Sequence, residues 1–167
     1  MAKNNKVVIF VMGVSGSGKS TIGRMLADEL HLPFFDGDDY HPMENVAKMK
    51  AGIPLEDVDR YSWLNRLHDL AIETLKQNGG VIACSALKES YRKILMNGIE
   101  QNVKWIFLDG DFDLIKKRME SRQSHYMPAK LLQSQFDTLE IPTYATSISI
   151  DATPKTIVER IMNELEH

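Results

Sequence analysis

Eight consecutive residues near the start of the chain have the types and the spacing that bind phosphate groups. Residues 13–20 read G-x-x-x-x-G-K-S and directly follow an apolar stretch, residues 7–12. Glycines allow backbone conformations in which successive N–H groups point into one concavity, and a helix that begins near Lys19 would add its positive end. This pattern is that of a P-loop, and it predicts a nucleoside-triphosphate site.

The side chains of this segment have separate predicted roles. The Lys19 ammonium would reach the β- and γ-phosphates as a catalytic cation, and the Ser20 hydroxyl would ligate Mg²⁺. The other predicted nucleotide ligands are Gly13, Val14, Ser15, Gly16, Ser17, Gly18 and Thr21.

An acidic segment, residues 36–42, follows a short predicted strand and would therefore lie at the same sheet edge as the P-loop. Of Asp36 and Asp38, one carboxylate would hold Mg²⁺, through water, and the other would accept the proton of an attacking hydroxyl. An acidic turn solvated at the surface is the alternative. His41 is either a substrate-binding group or a turn residue before Pro42. A zinc site is not predicted, because no second His or Cys lies nearby at ligand spacing.

The elements that must position these groups alternate between strands and helices. The predicted strands are 7–12, 32–36, 81–85, 103–108 and 146–150, and the predicted helices are 19–30, 60–76, 88–97, 111–122, 128–139 and 154–165. Five short apolar strands separated by helices predict a parallel sheet with right-handed crossovers. With 167 residues, the chain is expected to form one α/β domain of three layers, α/β/α.

Composition limits the function classes. The 43% of hydrophobic and 26% of charged residues are typical of a soluble globular protein. A net charge of −3 without a basic block argues against a nucleic-acid partner. The apolar stretch at the start is too short for a membrane span or a signal peptide. The single cysteine, Cys84, cannot form an internal disulfide, which fits a cytoplasmic location.

A P-loop alone does not separate kinases from GTPases or larger ATPases. The N-K-x-D and D-x-x-G elements of GTPases are absent from the sequence. Asp109 ends an apolar run as the acidic strand of larger ATPases does, so it stays open as a Mg²⁺ ligand. The helix 111–122 leads into an arginine-bearing segment, which is similar to the lid of nucleoside-monophosphate-kinase-like enzymes. A small lid is therefore predicted at about residues 118–130.

Four blocks of residues carry a more specific resemblance. They are 36–42 with Asn45, Lys48, Met49, 52–55 and 57–60; 83–88 with Tyr91 and Arg92; Arg118, Arg122 and 125–128; and Leu131, Leu132, 134–136, Leu139 and Glu140. The first block resembles the pattern D-G-D-x-x-H-P-x-x-N-x-x-K-M-x-x-G-x-P-L-x-D-x-D-R of the gluconokinase family, and the likeness spans about residues 6–155. Ser62 and Tyr126 depart from it, since the family often has Pro and Phe there.

The resemblance implies a P-loop kinase fold and Mg²⁺-dependent phosphorylation of D-gluconate by ATP, through direct in-line transfer to the 6-hydroxyl. It implies that Asp38 deprotonates that hydroxyl and that Asp36 lies near the metal, although the two could be reversed. Gluconate carries a carboxylate and several hydroxyls. Arg60 is expected to pair with the carboxylate, Lys88 and Arg92 to add positive charge, and Ser85 and His41 to bond hydroxyls. Arg60 could instead cap a surface helix, and Lys88 and Arg92 could form a solvated face.

On the nucleotide side, the resemblance implies that Arg118 stacks on adenine and that Arg122 neutralises charge on the transferred phosphoryl group. The loop 151–154, including Pro154, would form one side of the adenine-binding site. An ordinary basic helix end is the alternative for both arginines. A homodimer is a further expectation from the family. Two other functions stay open: a kinase for another small acceptor, such as shikimate or a nucleoside monophosphate, and a non-enzymatic nucleotide-binding regulator.

Overall fold

The computed structural model describes residues 6–121 and 129–166. The strands are Val7–Met12 (β1), Phe34–Asp36 (β2), Gly79–Ala83 (β3), Val103–Asp109 (β4) and Thr146–Ser149 (β5). The α-helices are Lys19–Leu30 (α1), Met43–Lys50 (α2), Asp57–Lys76 (α3), Glu89–Leu95 (α4), Phe112–Glu120 (α5), Ala129–Thr138 (α6) and Pro154–Leu165 (α7). Within these ranges, no helix combines the length and the apolar character needed to cross a bilayer.

The five strands form one parallel sheet in the order β2-β3-β1-β4-β5. β1 is central and pairs with β3 on one side and β4 on the other. The chain leaves β1 toward β2 and β3 and later crosses to β4 and β5. The carboxyl end of β1 therefore lies at the point where the strand order reverses, which is where open α/β sheets bind ligands. The predicted five-stranded parallel sheet is confirmed.

Both faces of the sheet are covered. On one face, Ile9 and Val11 pack in a cluster with buried residues of α1, α5 and α7, among them Ile22, Ile115 and Ile161. On the other face, Val8 and Phe10 pack with Trp63 and Leu67 of α3 and Tyr91 of α4. Successive side chains of a strand point to opposite faces, so an uninterrupted apolar β1 serves two cores. The arrangement confirms the three-layer α/β/α fold.

Two helices, α2 and α3, differ most from the sequence prediction. α3 begins at Asp57 and not at residue 60, because a reciprocal capping box between Glu56 and Asp59 starts the helix earlier. α2 was not predicted at all. Only Asn45 is buried in this helix, so no apolar stripe marks it in the sequence.

Candidate active site

The P-loop connects β1 to α1 with the geometry of an anion cradle. Gly16 and Gly18 have φ of 82° and 95°, in the left-handed region that favours glycine. Gly18 is the N-cap of α1, and no side chain caps the helix, so the first amides of α1 stay available to a ligand. A Cβ on Gly16 would lie 2.7 Å from Cγ of Met119, so α5 packs directly against the loop.

Lys19 bends back over this loop. Its Nζ donates to the Val14 carbonyl at 3.0 Å. Burial lowers the pKa of Lys19, while the nearby carboxylates of Asp38 and Asp36 oppose that shift. The two aspartates favour the charged ammonium, and bound phosphates would favour it further.

The two predicted metal ligands are in contact. Ser20 Oγ donates to Asp36 Oδ2 at 2.7 Å, and Asp36 Oδ1 accepts the Asp38 N–H at 3.0 Å. Asp36 thereby ties the first turn of α1 to the short 3₁₀ helix Gly37–Tyr40 that follows β2. A hydroxyl and a carboxylate are hard oxygen donors, and Mg²⁺ is usually held by one or two protein groups together with phosphates and water. The donor set fits Mg²⁺.

A cavity of about 810 Å³ lies beside the P-loop. It gathers residues from the loop itself, the segment after β2, α2 and the segment that follows it, the start of α3, the segment after β3, α4 and α6. Seven predicted site residues line it: Ser15, Lys19, Asp38, His41, Arg60, Ser85 and Lys88. Phosphate-binding and acceptor-binding candidates therefore share one chamber.

Asp38 reaches this cavity because the residue before it has no side chain. A Cβ on Gly37 would lie 2.4 Å from the Ala83 carbonyl, so the backbone of the 3₁₀ helix rests directly on the end of β3. The Asp38 carboxylate is open to the cavity but surrounded by protein. Burial raises its pKa, Lys19 lowers it, and Asp36 and Asp39 raise it further. A carboxylate with a raised pKa is a stronger proton acceptor than a solvated one.

His41 is held on the cavity wall by an aromatic stack. Its ring lies 4.1 Å from the Trp63 ring centroid at an interplanar angle of 14°. The Trp63 indole N–H in turn donates to the Gly37 carbonyl at 2.8 Å. Burial and the charge of Arg60 lower the pKa of His41 to about 4, so the ring is neutral at pH 7.

Two cations lie near one aromatic ring that also lines the cavity. The Arg60 guanidinium carbon lies 5.3 Å and the Lys88 Nζ 5.6 Å from the Tyr91 ring centroid. Lys88 donates to both Asp57 oxygens at 3.0 and 3.3 Å, and the Tyr91 hydroxyl donates to Asp57 Oδ1 at 2.5 Å. The hydrogen bonds from Tyr91 and from Lys88 lower the pKa of Asp57. Arg60 Nε is buried without a partner among the described residues, and only Nη2 donates, to the Leu55 carbonyl at 3.3 Å.

Arg92 lies elsewhere. It is 1% exposed, and its guanidinium donates to the carbonyls of Ala86 (2.6 Å) and Glu140 (2.8 Å) and to the Tyr144 hydroxyl (2.9 Å). It also pairs with Glu89 at 3.1 Å. This geometry contradicts the expectation that Arg92 binds substrate. Arg92 lies one turn after Lys88, the N-cap of α4, but its side of the helix packs inward, and the sequence spacing does not reveal this.

The nucleotide-base candidates are brought together on the far side of the loop. Arg118, in the last turn of α5, donates to the Ile150 carbonyl at 2.6 Å. This places its guanidinium beside the loop 151–154 and the exposed Pro154 that begins α7. Asp109 is exposed at the end of β4. Arg122 lies outside the described residues.

Sequence reasoning missed three residues of the site. Gln135 of α6 accepts the Ser15 N–H at 2.7 Å through Oε1 and donates from Nε2 to Ser15 Oγ at 3.0 Å. Asn45 contacts His41, and the Tyr91 ring lies near both Arg60 and Lys88. All three belong to the blocks that resemble the gluconokinase family, and this was the only signal that could have found them.

Comparisons with known proteins place the chain in a family. The thermosensitive gluconokinase of Escherichia coli strain K12 is 50% identical over 133 residues, which cover 79% of this chain and 71% of the relative. The crystal structure of a gluconokinase from Sinorhizobium meliloti 1021 is 35% identical, with a TM-score of 0.84, and the match covers 99% of this chain and 98% of that one. This chain belongs to the gluconokinase family. It is a kinase.

A shikimate kinase family model also matches, over residues 15–166. The crystal structure of shikimate kinase from Aquifex aeolicus has a TM-score of 0.64 but only 20% identity, with coverage of 96% of both chains. At that identity the likeness shows the shared P-loop kinase fold alone. The family assignment therefore follows the gluconokinases, whose identity is roughly twice as high.

Proposed function

We propose that this kinase transfers the γ-phosphoryl group of ATP to the 6-hydroxyl of D-gluconate, with Mg²⁺ and by direct in-line displacement. The observation that carries the proposal is the composition of the shared cavity. It is lined by Lys19 and Asp38, the proposed phosphate-binding cation and proton acceptor, and also by the basic pair Arg60 and Lys88. A substrate that carries both a carboxylate and a primary hydroxyl suits this combination.

The charges around Tyr91 suit one carboxylate. Arg60 and Lys88 contribute two positive charges and Asp57 one negative charge, which leaves one positive charge for an anion. The planar guanidinium favours bidentate pairing with a carboxylate. Ser85, also on the cavity wall, would bond a substrate hydroxyl.

Asp38 would accept the proton of the 6-hydroxyl as the hydroxyl oxygen attacks the γ-phosphorus. The bond from that phosphorus to the oxygen of ADP then breaks. Lys19 and the P-loop amides would stabilise the negative charge on the transferred group. Mg²⁺ held by Ser20 and Asp36 would neutralise charge on the β- and γ-phosphates.

Three further residues complete the proposed nucleotide site. Arg118 and the loop that ends at Pro154 would enclose adenine from two sides, supported by the hydrogen bond from Arg118 to the Ile150 carbonyl. Arg122 would reach the transferred phosphoryl group from the lid.

Coupled ADP release with Mg-ATP tests the proposal, with gluconate, shikimate and AMP as separate acceptors. Turnover is expected with gluconate. Turnover with shikimate or AMP and not with gluconate would overturn the substrate assignment, and no turnover with any acceptor would favour a nucleotide-binding regulator.

Asp38→Asn tests the base. It should remove most turnover while ATP affinity stays nearly unchanged. The matched control is Asp39→Asn, because Asp39 is an exposed neighbour that does not line the cavity. Equal losses in the two variants would refute the role of Asp38.

A further inference from the structure

We infer that Asn45 is a positioning residue that holds His41 in the neutral tautomer with hydrogen on Nε2, so that His41 acts in the cavity as a hydrogen-bond donor. The part of this inference that concerns substrate rests on the proposed function. The part that concerns the tautomer does not.

The orientation of the Asn45 amide is determined by a backbone carbonyl. Asn45 is 2% exposed, and its Nδ2 lies 2.7 Å from the carbonyl oxygen of Asp59. A carbonyl only accepts hydrogen bonds, so the group that faces it must be the NH₂ and not the amide oxygen. The same NH₂ lies 3.2 Å from Nδ1 of His41.

An NH₂ group donates two hydrogens and accepts none. With one hydrogen on the Asp59 carbonyl, the other points to His41, and Nδ1 must carry a lone pair to accept it. In a neutral imidazole the hydrogen then resides on Nε2.

The surroundings keep this arrangement in place. The Trp63 ring covers one face of His41, and Trp63 is itself buried and bonded to the Gly37 carbonyl. On the Asp59 side, Lys48 pairs with the Asp59 carboxylate at 2.9 Å, which links α2 to the start of α3. Asn45 therefore connects two packed helices to the imidazole.

Protonation of His41 is opposed by its neighbours. A hydrogen on Nδ1 would face the Asn45 NH₂, and the resulting cation would share the cavity with the cations Arg60 and Lys19. Burial and the Arg60 charge already lower the His41 pKa to about 4. The ring thus neither takes the substrate proton in place of Asp38 nor adds a charge. It offers one N–H to an oxygen of a polyhydroxylated acceptor.

The first test measures the tautomer directly. Long-range ¹H–¹⁵N NMR spectra of the full chain, ¹⁵N-labelled at histidine, distinguish the two neutral tautomers and the cation by the ring nitrogen shifts. The wild-type protein should show His41 with hydrogen on Nε2 at pH 7. Hydrogen on Nδ1, or an imidazolium, would overturn the inference whatever the variants do.

The second test changes Asn45, the hydrogen-bond partner of His41. In Asn45→Asp the carboxylate accepts a hydrogen bond, so His41 should move to the Nδ1–H or the charged form. KM for gluconate should then rise about tenfold, as expected for the loss of one hydrogen bond of about 1.4 kcal/mol, with a smaller change in kcat. Glu44→Gln, at the exposed neighbouring position, is the control and should leave both constants unchanged.

A double-mutant cycle separates positioning from a general structural role. His41→Gln supplies an amide donor that has no tautomer, so adding Asn45→Asp to it should cost little further in KM. If Asn45→Asp costs the same tenfold with Gln at position 41, the inference is overturned. Asn45→Ala, which should let both tautomers appear in the NMR spectra, replaces the aspartate variant if that variant does not fold. A wild-type protein without gluconate turnover would refute the proposed function alone, since the NMR result stands independently.

Discussion

Substitution of Arg92 should destabilise the fold and leave acceptor binding intact. The guanidinium is 1% exposed and reaches two backbone carbonyls, a hydroxyl and a carboxylate through its three nitrogens. One of those carbonyls belongs to Ala86, a non-glycine residue at φ 46° in the loop that carries Ser85. Arg92 therefore holds a strained loop behind the cavity.

The magnitude follows from the bonds lost. In Arg92→Lys, the single ammonium cannot reach the carbonyls of Ala86 and Glu140 and the Tyr144 hydroxyl together. At least one buried acceptor then loses its donor, and each such bond to a charged group is worth about 1.5–3 kcal/mol. We expect a loss of about 2–4 kcal/mol for this variant, and of about 3–5 kcal/mol for Arg92→Met, which leaves Glu89 without its buried partner.

Urea unfolding measures this change. With a slope of about 2 kcal/mol/M, the midpoint of Arg92→Lys should fall by about 1–2 M. Lys93→Met is the matched control, because Lys93 is the next residue on α4 and is exposed, so its effect should stay within about 0.5 kcal/mol. An Arg92→Lys protein with the wild-type midpoint and a strongly raised KM for gluconate would refute this reasoning and restore a substrate-binding role.

Three other perturbations have defined outcomes. Gly37→Ala should lower kcat at least tenfold in steady-state assays, because its Cβ would lie 2.4 Å from the Ala83 carbonyl and displace Asp38; an unchanged kcat would contradict this account. The log of kcat/KM should fall with decreasing pH through a carboxyl pKa above the ordinary 3.8, and Asp38→Asn should lack this limb. Because the folded-state pKa of Asp38 is raised, ionisation of this carboxyl destabilises the fold as pH rises through that value. Asp38→Asn should therefore also unfold at a higher urea concentration than the wild type at pH 7, and a lower midpoint would argue against the shift. Gln135→Ala should speed amide hydrogen exchange in α6, measured by mass spectrometry, because two hydrogen bonds to Ser15 are lost; unchanged exchange would show that other contacts hold the helix.

Most strands and amphipathic helices of this kinase could be predicted from local sequence patterns. β1 and α1 match their predicted bounds because an apolar run, a glycine turn and an apolar stripe follow one another without ambiguity. α2 was missed because its one buried residue is a polar asparagine. Its packing depends on hydrogen bonds to residues of α3, and the hydrophobic periodicity of the sequence does not reveal such bonds.

In the acceptor site, too, the sequence predicts some features and only the tertiary structure decides others. The residue types that suit a carboxylate are evident in the sequence, and Arg60 and Lys88 do line the cavity. Arg92 has the same charge and spacing, yet its position relative to the core makes it a structural residue. Whether Lys88 or Arg92 faces the cavity depends on the orientation of α4 about its own axis, and only packing against neighbouring elements determines that orientation.

By itself, the sequence determined that the chain binds phosphates and belongs among P-loop kinases, because the geometry of that loop is encoded in eight consecutive residues. It also determined the family through residues scattered along the chain. Only the tertiary structure decided which side chains share the cavity, that Arg60 and Lys88 both lie near the Tyr91 ring, and that Asn45 orients His41. Those relations depend on helix packing and on side-chain hydrogen bonds such as that from Tyr91 to Asp57, 34 positions apart, and no local pattern encodes them.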